Sequence, residues 1–258
     1  MSAALAEHFP DEEATIVPVM EHVLIQSEEK WFSKHGSTAG LQPPSRRYEG
    51  KKEGRKETMT IKNTIADRDL EALRAAIAGQ VSVPGQAGYD QARQAWNLAV
   101  DQRPSVVVEA GSASDVAQAV RYARAHGMRI APQGTGHGAA PLEPLDGAML
   151  LRTTRMRQVD IDPAARTARA EAGAVWQDVI GPAAEHGLAG LAGSSPGVGV
   201  AGYTLGGGLG WLARRYGLAA NSVTAVELVT PDGDLVRADA GHEPDPSGRS
   251  AAAVAWAW

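Results

Sequence analysis

The residues that could do chemistry in this chain gather in two Gly-rich stretches, and their types suit holding a phosphorylated ligand. In Gln133–Gly138 (QGTGHG), Gly134, Gly136 and Gly138 alternate with Thr135 and His137. Such alternation lets successive backbone N–H groups turn inward to form a concave anion site. A pyrophosphate is its natural guest. His137 sits at the loop tip, and that position raises it above an ordinary solvated histidine. The second stretch contains GVGVAG, where Gly197, Gly199 and Gly202 match the dinucleotide-binding pattern by spacing alone. That pattern needs a strand before it, a helix after it and an acid about twenty residues on. Here AGLAGSSP precedes it and Gly206, Gly207, Gly208 and Gly210 follow. Each glycine weakens a helix by about 1 kcal/mol. Glu227, the nearest downstream acid, lies in a β run, so a nicotinamide-type site is disfavoured. No phosphate loop of the Gly-Lys-Ser/Thr kind occurs. There are no cysteines, which excludes disulfides, thiolate metal ligands and thiol nucleophiles, and no metal site is expected.

Strands and helices that alternate without a strict repeat must position these stretches. Leu70, Leu73 and Ile77 at helical spacing predict a helix over 67–78. Val106–Ala110 reads as a strand ending at Gly111. Ser112 and Asp115 resemble a capping box for a helix to His126, closed by Gly127. Arg129–Ala131 is a short strand feeding the 132–138 loop. Val159–Ile161 and Thr167–Ala170 form a hairpin around Asp162-Pro163. Trp176–His186 is helical, with Gly187 at its end. Val223–Thr230 and Leu235–Ala238 flank the turn residues Pro231-Asp232-Gly233. The expected class is α+β.

At 258 residues the chain can bury a real core. Its net charge of −5 offers nothing to nucleic acid or an anionic membrane. Leu188–Leu212 carries no charge, but nine of its 25 residues are Gly, which suits backbone packed against a ligand better than a lipid-facing helix. No basic-then-apolar leader opens the chain, and a cytoplasmic location is expected. All six lysines lie at or before Lys62 and both phenylalanines before residue 33. This break sets 1–58 apart as a poorly ordered extension, with Ala14–Ile25 apolar enough for one helix or strand. Arg46–Glu57 reads as a charged linker, and Met59 is a plausible alternative start. The body spans 62–245, and 246–258 is a tail without caps or amphipathic period.

QGTGHG followed by SSPGVGVAGYTLGGGLGWLARRYGLAANSVTAVELVTPDG resembles the vanillyl-alcohol-oxidase-type (PCMH-type) FAD-binding domain, in its berberine-bridge-enzyme-like branch. RPSVVVEAGSASDVAQAVRYARAHGMRIAPQGTGHG and QVDIDPAARTARAEAGAVWQDV match further family segments in order, so the likeness runs from about Arg103 to Asp245. It implies an α+β fold, a PCMH-type FAD-binding domain of two α/β subdomains. Gln133, Gly134, Thr135, Gly136, His137 and Gly138 would wrap the pyrophosphate. His137 falls where family members bond the flavin through its 8-methyl group, chemistry that a neutral imidazole nitrogen suits. Members with a second bond use a cysteine where this chain has Ser195, so a single tether is expected. Ser194, Ser195, Val198, Gly199, Ala201 and Gly202 would lie along the flavin and ribityl chain. Gly206, Gly207, Gly208 and Gly210 would admit the cofactor close to backbone, and Val226 would touch it by its main chain. Arg214, Arg215 and Tyr216 are expected to support the loop.

The family continues after a G-H-E-P-D motif into an Arg-Gly-Gly-Gly-Gly segment and a substrate domain that carries the catalytic base. Here GHEPD occupies 241–245, and the chain then departs. Codons for Ser250–Trp258 read one frame over can spell R-G-G-G-G-L-G-V, so a frame change near Asp245 is expected, with the substrate domain absent. The function implied is oxidation of a C–OH or C–N carbon of a small molecule by hydride transfer to flavin, with molecular oxygen as acceptor. The alternative is a truncated flavin-binding fragment without turnover. In either case, loss of the final strands would leave a sheet edge uncovered.

Overall fold

A computed structural model describes residues 67–141 and 144–239, together with the backbone of 17–23, 25 and 26. The tail 246–258, its shifted-frame origin and most of 1–58 lie outside the described residues. Two sheets organise the rest, in the expected α+β manner.

The first sheet has the order β3-β4-β6-β5. Its strands are β3 (Gln80–Ser82), β4 (Val106–Glu109), β5 (Ile130–Gln133) and β6 (Met149–Arg152). β4 and β5 both run parallel to β6, while β3 pairs antiparallel with β4. The β4 run of three valines is fully buried, as a central parallel strand must be. β6 is buried at all four positions, so it shows no alternation, and sequence periodicity did not mark it. Helices α1 (Asp67–Ala76) and α3 (Ala113–Ala125) cover the sheet, and α2 (Tyr89–Ala92) packs at its β4 side. Leu73, Val106, Val108, Val116, Val120, Met149 and Leu151 form the core between them.

The junction of α1, β4 and α3 departs from a capping box. Ser112 Oγ does accept from Asp115 N at 3.2 Å, but the Asp115 carboxylate does not return to Ser112. It accepts instead from Ala78 N (3.0 Å), Gly79 N (3.0 Å) and Gly111 N (2.8 Å). A buried carboxylate takes every donor it can reach, and here that ties the end of α1 to the β4–α3 turn.

The second sheet has the order β11-β10-β1-β8-β7 and is antiparallel throughout. Its strands are β1 (Val17–Val23), β7 (Val159–Asp162), β8 (Thr167–Ala170), β10 (Ala225–Val229) and β11 (Leu235–Asp239). Residues 17–23 therefore stand at the centre of this sheet, between β10 and β8, although composition sets 1–58 apart from the body. A two-residue strand β2 (Ile25–Gln26) pairs with β9 (Leu188–Ala189). Helix α4 (Trp176–Ala184) packs on this side with Trp176 and Val179 buried, and Gly187 follows it at φ +67°. Asp178 accepts from Val175 N at 3.0 Å and so caps the helix start.

Contacts between the halves are close. The β10–β11 turn presents Gly233 (φ +84°), whose carbonyl accepts from Arg121 Nη2 of α3 at 2.6 Å. A Cβ on Gly173 would lie 1.9 Å from Thr153 O, and Thr153 Oγ1 donates to Ala172 O at 3.1 Å. The 170–174 turn thus lies directly against the end of β6.

Candidate functional site

Between the halves opens a cleft of about 890 Å³. One wall is β5 with the loop that follows it, Gln133–Ala139. The opposite wall is Val198 and Gly199 leading into α5 (Val200–Leu205), with Tyr203 and Gly206. Thr153 and Ala172 join the two walls. The GVGVAG stretch therefore does open a helix. It is only six residues long and stops at Leu205, before the glycines that would weaken it. The nearest strand upstream, β9, has two residues and ends ten positions before Gly199, so the fold around this motif is not a strand-to-helix dinucleotide turn.

The 133–138 loop leaves most of its backbone donors without protein partners. Among the described residues the backbone N–H groups of Gly134, Thr135, Gly136 and Gly138 donate to no protein acceptor. The loop is anchored by its carbonyls instead: Gln133 O accepts from Thr153 N at 3.1 Å, and Thr135 O from Trp96 N at 3.0 Å. Gly136 has φ +81°, a left-handed conformation that favours glycine. The amide atoms of Gln133 and Nε2 of His137 are buried without a hydrogen-bond partner. Orphaned polar groups of this kind mark a place where a ligand or water completes the network.

The structure divides the expected cofactor residues. Gln133, Gly134, Thr135, Gly136, His137 and Gly138 line the cleft, as do Val198, Gly199, Ala201, Gly202 and Gly206. Ser194, Ser195, Gly207, Gly208, Gly210 and Val226 are not among its lining residues. For two of these glycines the structure offers a different reason. A Cβ on Gly208 would fall 2.6 Å from the Ala219 methyl and 2.7 Å from the Tyr203 ring, and one on Gly210 would fall 2.3 Å from Ala192 O. Both make room for Tyr203, whose ring also stands edge-on to Trp176 at 5.5 Å. Burial pushes the Tyr203 phenol above its ordinary pKa. Arg214, Arg215 and Tyr216 lie on the short helix α6 (Ala213–Tyr216), with Arg215 over the Tyr216 ring, and none of them lines the cleft.

Sequence reasoning missed the residues behind the loop. The His137 imidazole stacks on the Trp96 indole at 3.8 Å between centroids and 18° between planes. Ala95 presses on Gly136, where an added Cβ would sit 2.9 Å from the Ala95 methyl. Arg152, nearly buried at the end of β6, donates from Nη1 to Ala92 O (3.0 Å) and Gln94 O (2.7 Å). Desolvation pushes its guanidinium pKa below the ordinary range, opposed by the nearby Glu109 carboxylate. The only local signal was a tryptophan in a stretch of mixed polarity, QAWNLAVDQ.

Comparison with known proteins agrees with this geometry. Residues 104–239 match the family described as FAD binding domain. The (R)-6-hydroxynicotine oxidase of Paenarthrobacter nicotinovorans is 35% identical over 170 residues, covering 66% of this chain and 37% of the relative. The carbohydrate oxidase of Microdochium nivale is 26% identical over 188 residues, 68% of this chain and 36% of the relative. Among solved structures, 6-hydroxy-D-nicotine oxidase from Arthrobacter nicotinovorans superposes with a TM-score of 0.61 at 35% identity, over 65% of this chain and 37% of that one. The BBE-like 1 protein of Physcomitrella patens gives 0.58 at 28% identity, over 68% and 38%. The chain thus spans little more than a third of the length of these relatives. No helix among the described residues is long and apolar enough to cross a membrane. A match over more than half of the chain, with a fold and motifs shared with these oxidases, shows that the chain belongs to the FAD binding domain family, the PCMH-type and berberine-bridge-enzyme-like group that its motifs resemble.

Proposed function

We propose that this chain supplies the flavin-holding part of an FAD-linked oxidase, with FAD in the cleft between Gln133–Gly138 and Val198–Gly206. The carrying observation is the set of free N–H groups at Gly134, Thr135, Gly136 and Gly138 beside the unpartnered Nε2 of His137. Four unbonded donors on residues that line the cleft suit a pyrophosphate, which needs backbone N–H groups and close approach. Val198, Ala201 and Leu205 give the opposite wall an apolar surface for an aromatic ring system. When bound, FAD supplies the redox chemistry, taking a hydride from a C–OH or C–N carbon of a small substrate and passing the electrons to molecular oxygen. The chain's part is to bind, orient and shelter it.

His137 is the single tether in this reading. His137 would hold FAD by a bond from an imidazole nitrogen to the 8-methyl carbon, the flavin itself taking up the displaced electron pair and molecular oxygen reoxidising it. With Ser195 at the other position and no cysteine in the chain, a second tether cannot form.

One observation favours a second reading, in which the chain holds FAD without turnover. Among the described residues, the titratable side chains lining the cleft are Arg129, His137 and Tyr203, with no carboxylate to serve as base. The experiment is to purify the chain, record its visible spectrum and precipitate it with acid. Colour that stays with the protein, and is released by His137→Ala, supports the tethered site. A soluble protein that stays colourless with excess FAD removes the cofactor claim. Hydrogen peroxide release on challenge with hydroxylated and amine substrates separates the oxidase from the silent holder.

A further inference from the structure

We propose that Trp96 is the positioning residue of the flavin site, holding the His137 imidazole in one plane against the cleft. The inference rests on the flavin reading of that cleft. His137 sits between Gly136 and Gly138, on a loop whose own backbone gives its side chain little restraint. Its backbone N–H makes only a long contact, 3.4 Å, to Thr135 Oγ1, and its Nε2 has no protein partner. Hydrogen bonding therefore does not fix this ring. The indole does, through a face-to-face stack at 3.8 Å and 18°.

Trp96 is 63% exposed. An indole buries more apolar surface in a core than over one histidine in water, so packing alone does not account for its place. The main chain that leads to it is pinned in place. Arg152 grips the carbonyls of Ala92 and Gln94. Two residues later Trp96 N donates to Thr135 O at 3.0 Å, and Ala95 fills the space that a side chain on Gly136 would need. The loop 92–96 is thus a rigid back wall for the anion loop, and the stack is its contact with the reactive side chain. Trp96 itself is not among the residues lining the cleft, and its contact with the site is the His137 ring.

A positioning role separates binding from attachment. Pyrophosphate capture by backbone N–H groups is independent of the indole, whereas bond formation needs the imidazole held at the correct angle. In Trp96→Ala, the rate at which colour becomes acid-stable is expected to fall roughly tenfold, the order of effect that loss of one aromatic stack has on a rate. The affinity for FAD, read by quenching of flavin fluorescence before attachment, should change less than about threefold. Trp96→Phe keeps a flat ring and should restore the attachment rate. The flavin-free protein gives a readout of its own: His137 ring protons shifted upfield by the indole ring current in NMR spectra, and returned to ordinary positions in Trp96→Ala.

Attachment slowed in Trp96→Ala, rescued by Phe and with affinity kept, supports the proposal. Equal attachment rates in wild type and Trp96→Ala overturn it and leave the flavin reading standing. So does loss of affinity together with rate, which makes Trp96 a plain structural wall, or FAD bound with no attachment in any variant. A wild-type chain that takes up no FAD overturns the flavin reading, and this proposal with it.

Discussion

Two glycines of one loop should respond in opposite ways to the same added methyl group. Gly136 lies at φ +81°, where an L side chain costs about 1–2 kcal/mol. Its new Cβ would also stand 2.9 Å from the Ala95 methyl and 3.0 Å from Ala95 Cα and from Gln133 Nε2. Ala95 is buried and part of the backbone grip made by Arg152, so it cannot move aside cheaply. Overpacking of this kind adds about 1–3 kcal/mol, for a total of about 2–5 kcal/mol. For a chain of this size that lowers the melting temperature by on the order of 4–20 °C. Gly138 is the contrast. Nothing lies within 4 Å of its Cβ position and its φ is not positive, so Gly138→Ala should be neutral or stabilise by up to about 1 kcal/mol through the unfolded chain. Thermal unfolding by circular dichroism, followed by FAD uptake at a temperature where both variants are folded, measures the pair. Gly136→Ala should also take up less FAD, because the loop carrying the free N–H groups must shift. If Gly136→Ala melts with wild type, or Gly138→Ala is the more damaging, the packing account of this loop is wrong.

Asp115→Ala strands three backbone donors, at Ala78, Gly79 and Gly111, and should cost about 3 kcal/mol or more in chemical denaturation. A cost under about 1 kcal/mol would mean that water replaces the carboxylate. A chain begun at Met59 lacks β1, which pairs with β10 on one side and β8 on the other, and should aggregate through the exposed edges on size-exclusion chromatography. A monomeric product with one cooperative melt would show that β1 is dispensable. Desolvation raises the phenol pKa of Tyr89, Tyr122 and Tyr203. An acid whose folded pKa exceeds its unfolded value keeps its full contribution below the unfolded pKa and loses it as pH climbs past that point. Stability should therefore hold to about pH 10 and fall above it, and Tyr203→Phe should soften the fall. Base denaturation unchanged in that variant would count against burial as the cause.

Local patterns carried the sequence reading where a residue's role depends on its neighbours along the chain. The three valines of β4, the Asp162-Pro163 hairpin and the glycines that close α3 and α4 all announce themselves within a few positions. β6 does not, because a strand buried on both faces has no alternation to read. The Ser112–Asp115 spacing predicts half of a cap within its own helix, yet the Asp115 carboxylate serves an α1 terminus 36 residues away. The second Gly-rich stretch shows the same limit at the site. In sequence, Gly206, Gly207, Gly208 and Gly210 form one run with one implied purpose, close approach to a cofactor. In space, Gly206 faces the cleft, while Gly208 and Gly210 make room for the Tyr203 ring. Since Tyr203 lines the cleft opposite the anion loop, those two glycines still bear on the site, but through the ring they seat. The same logic joins Trp96 to His137 across 41 positions. What spacing cannot reveal is which side chain packs against another, and at this cleft the stack of Trp96 on His137 is such a contact.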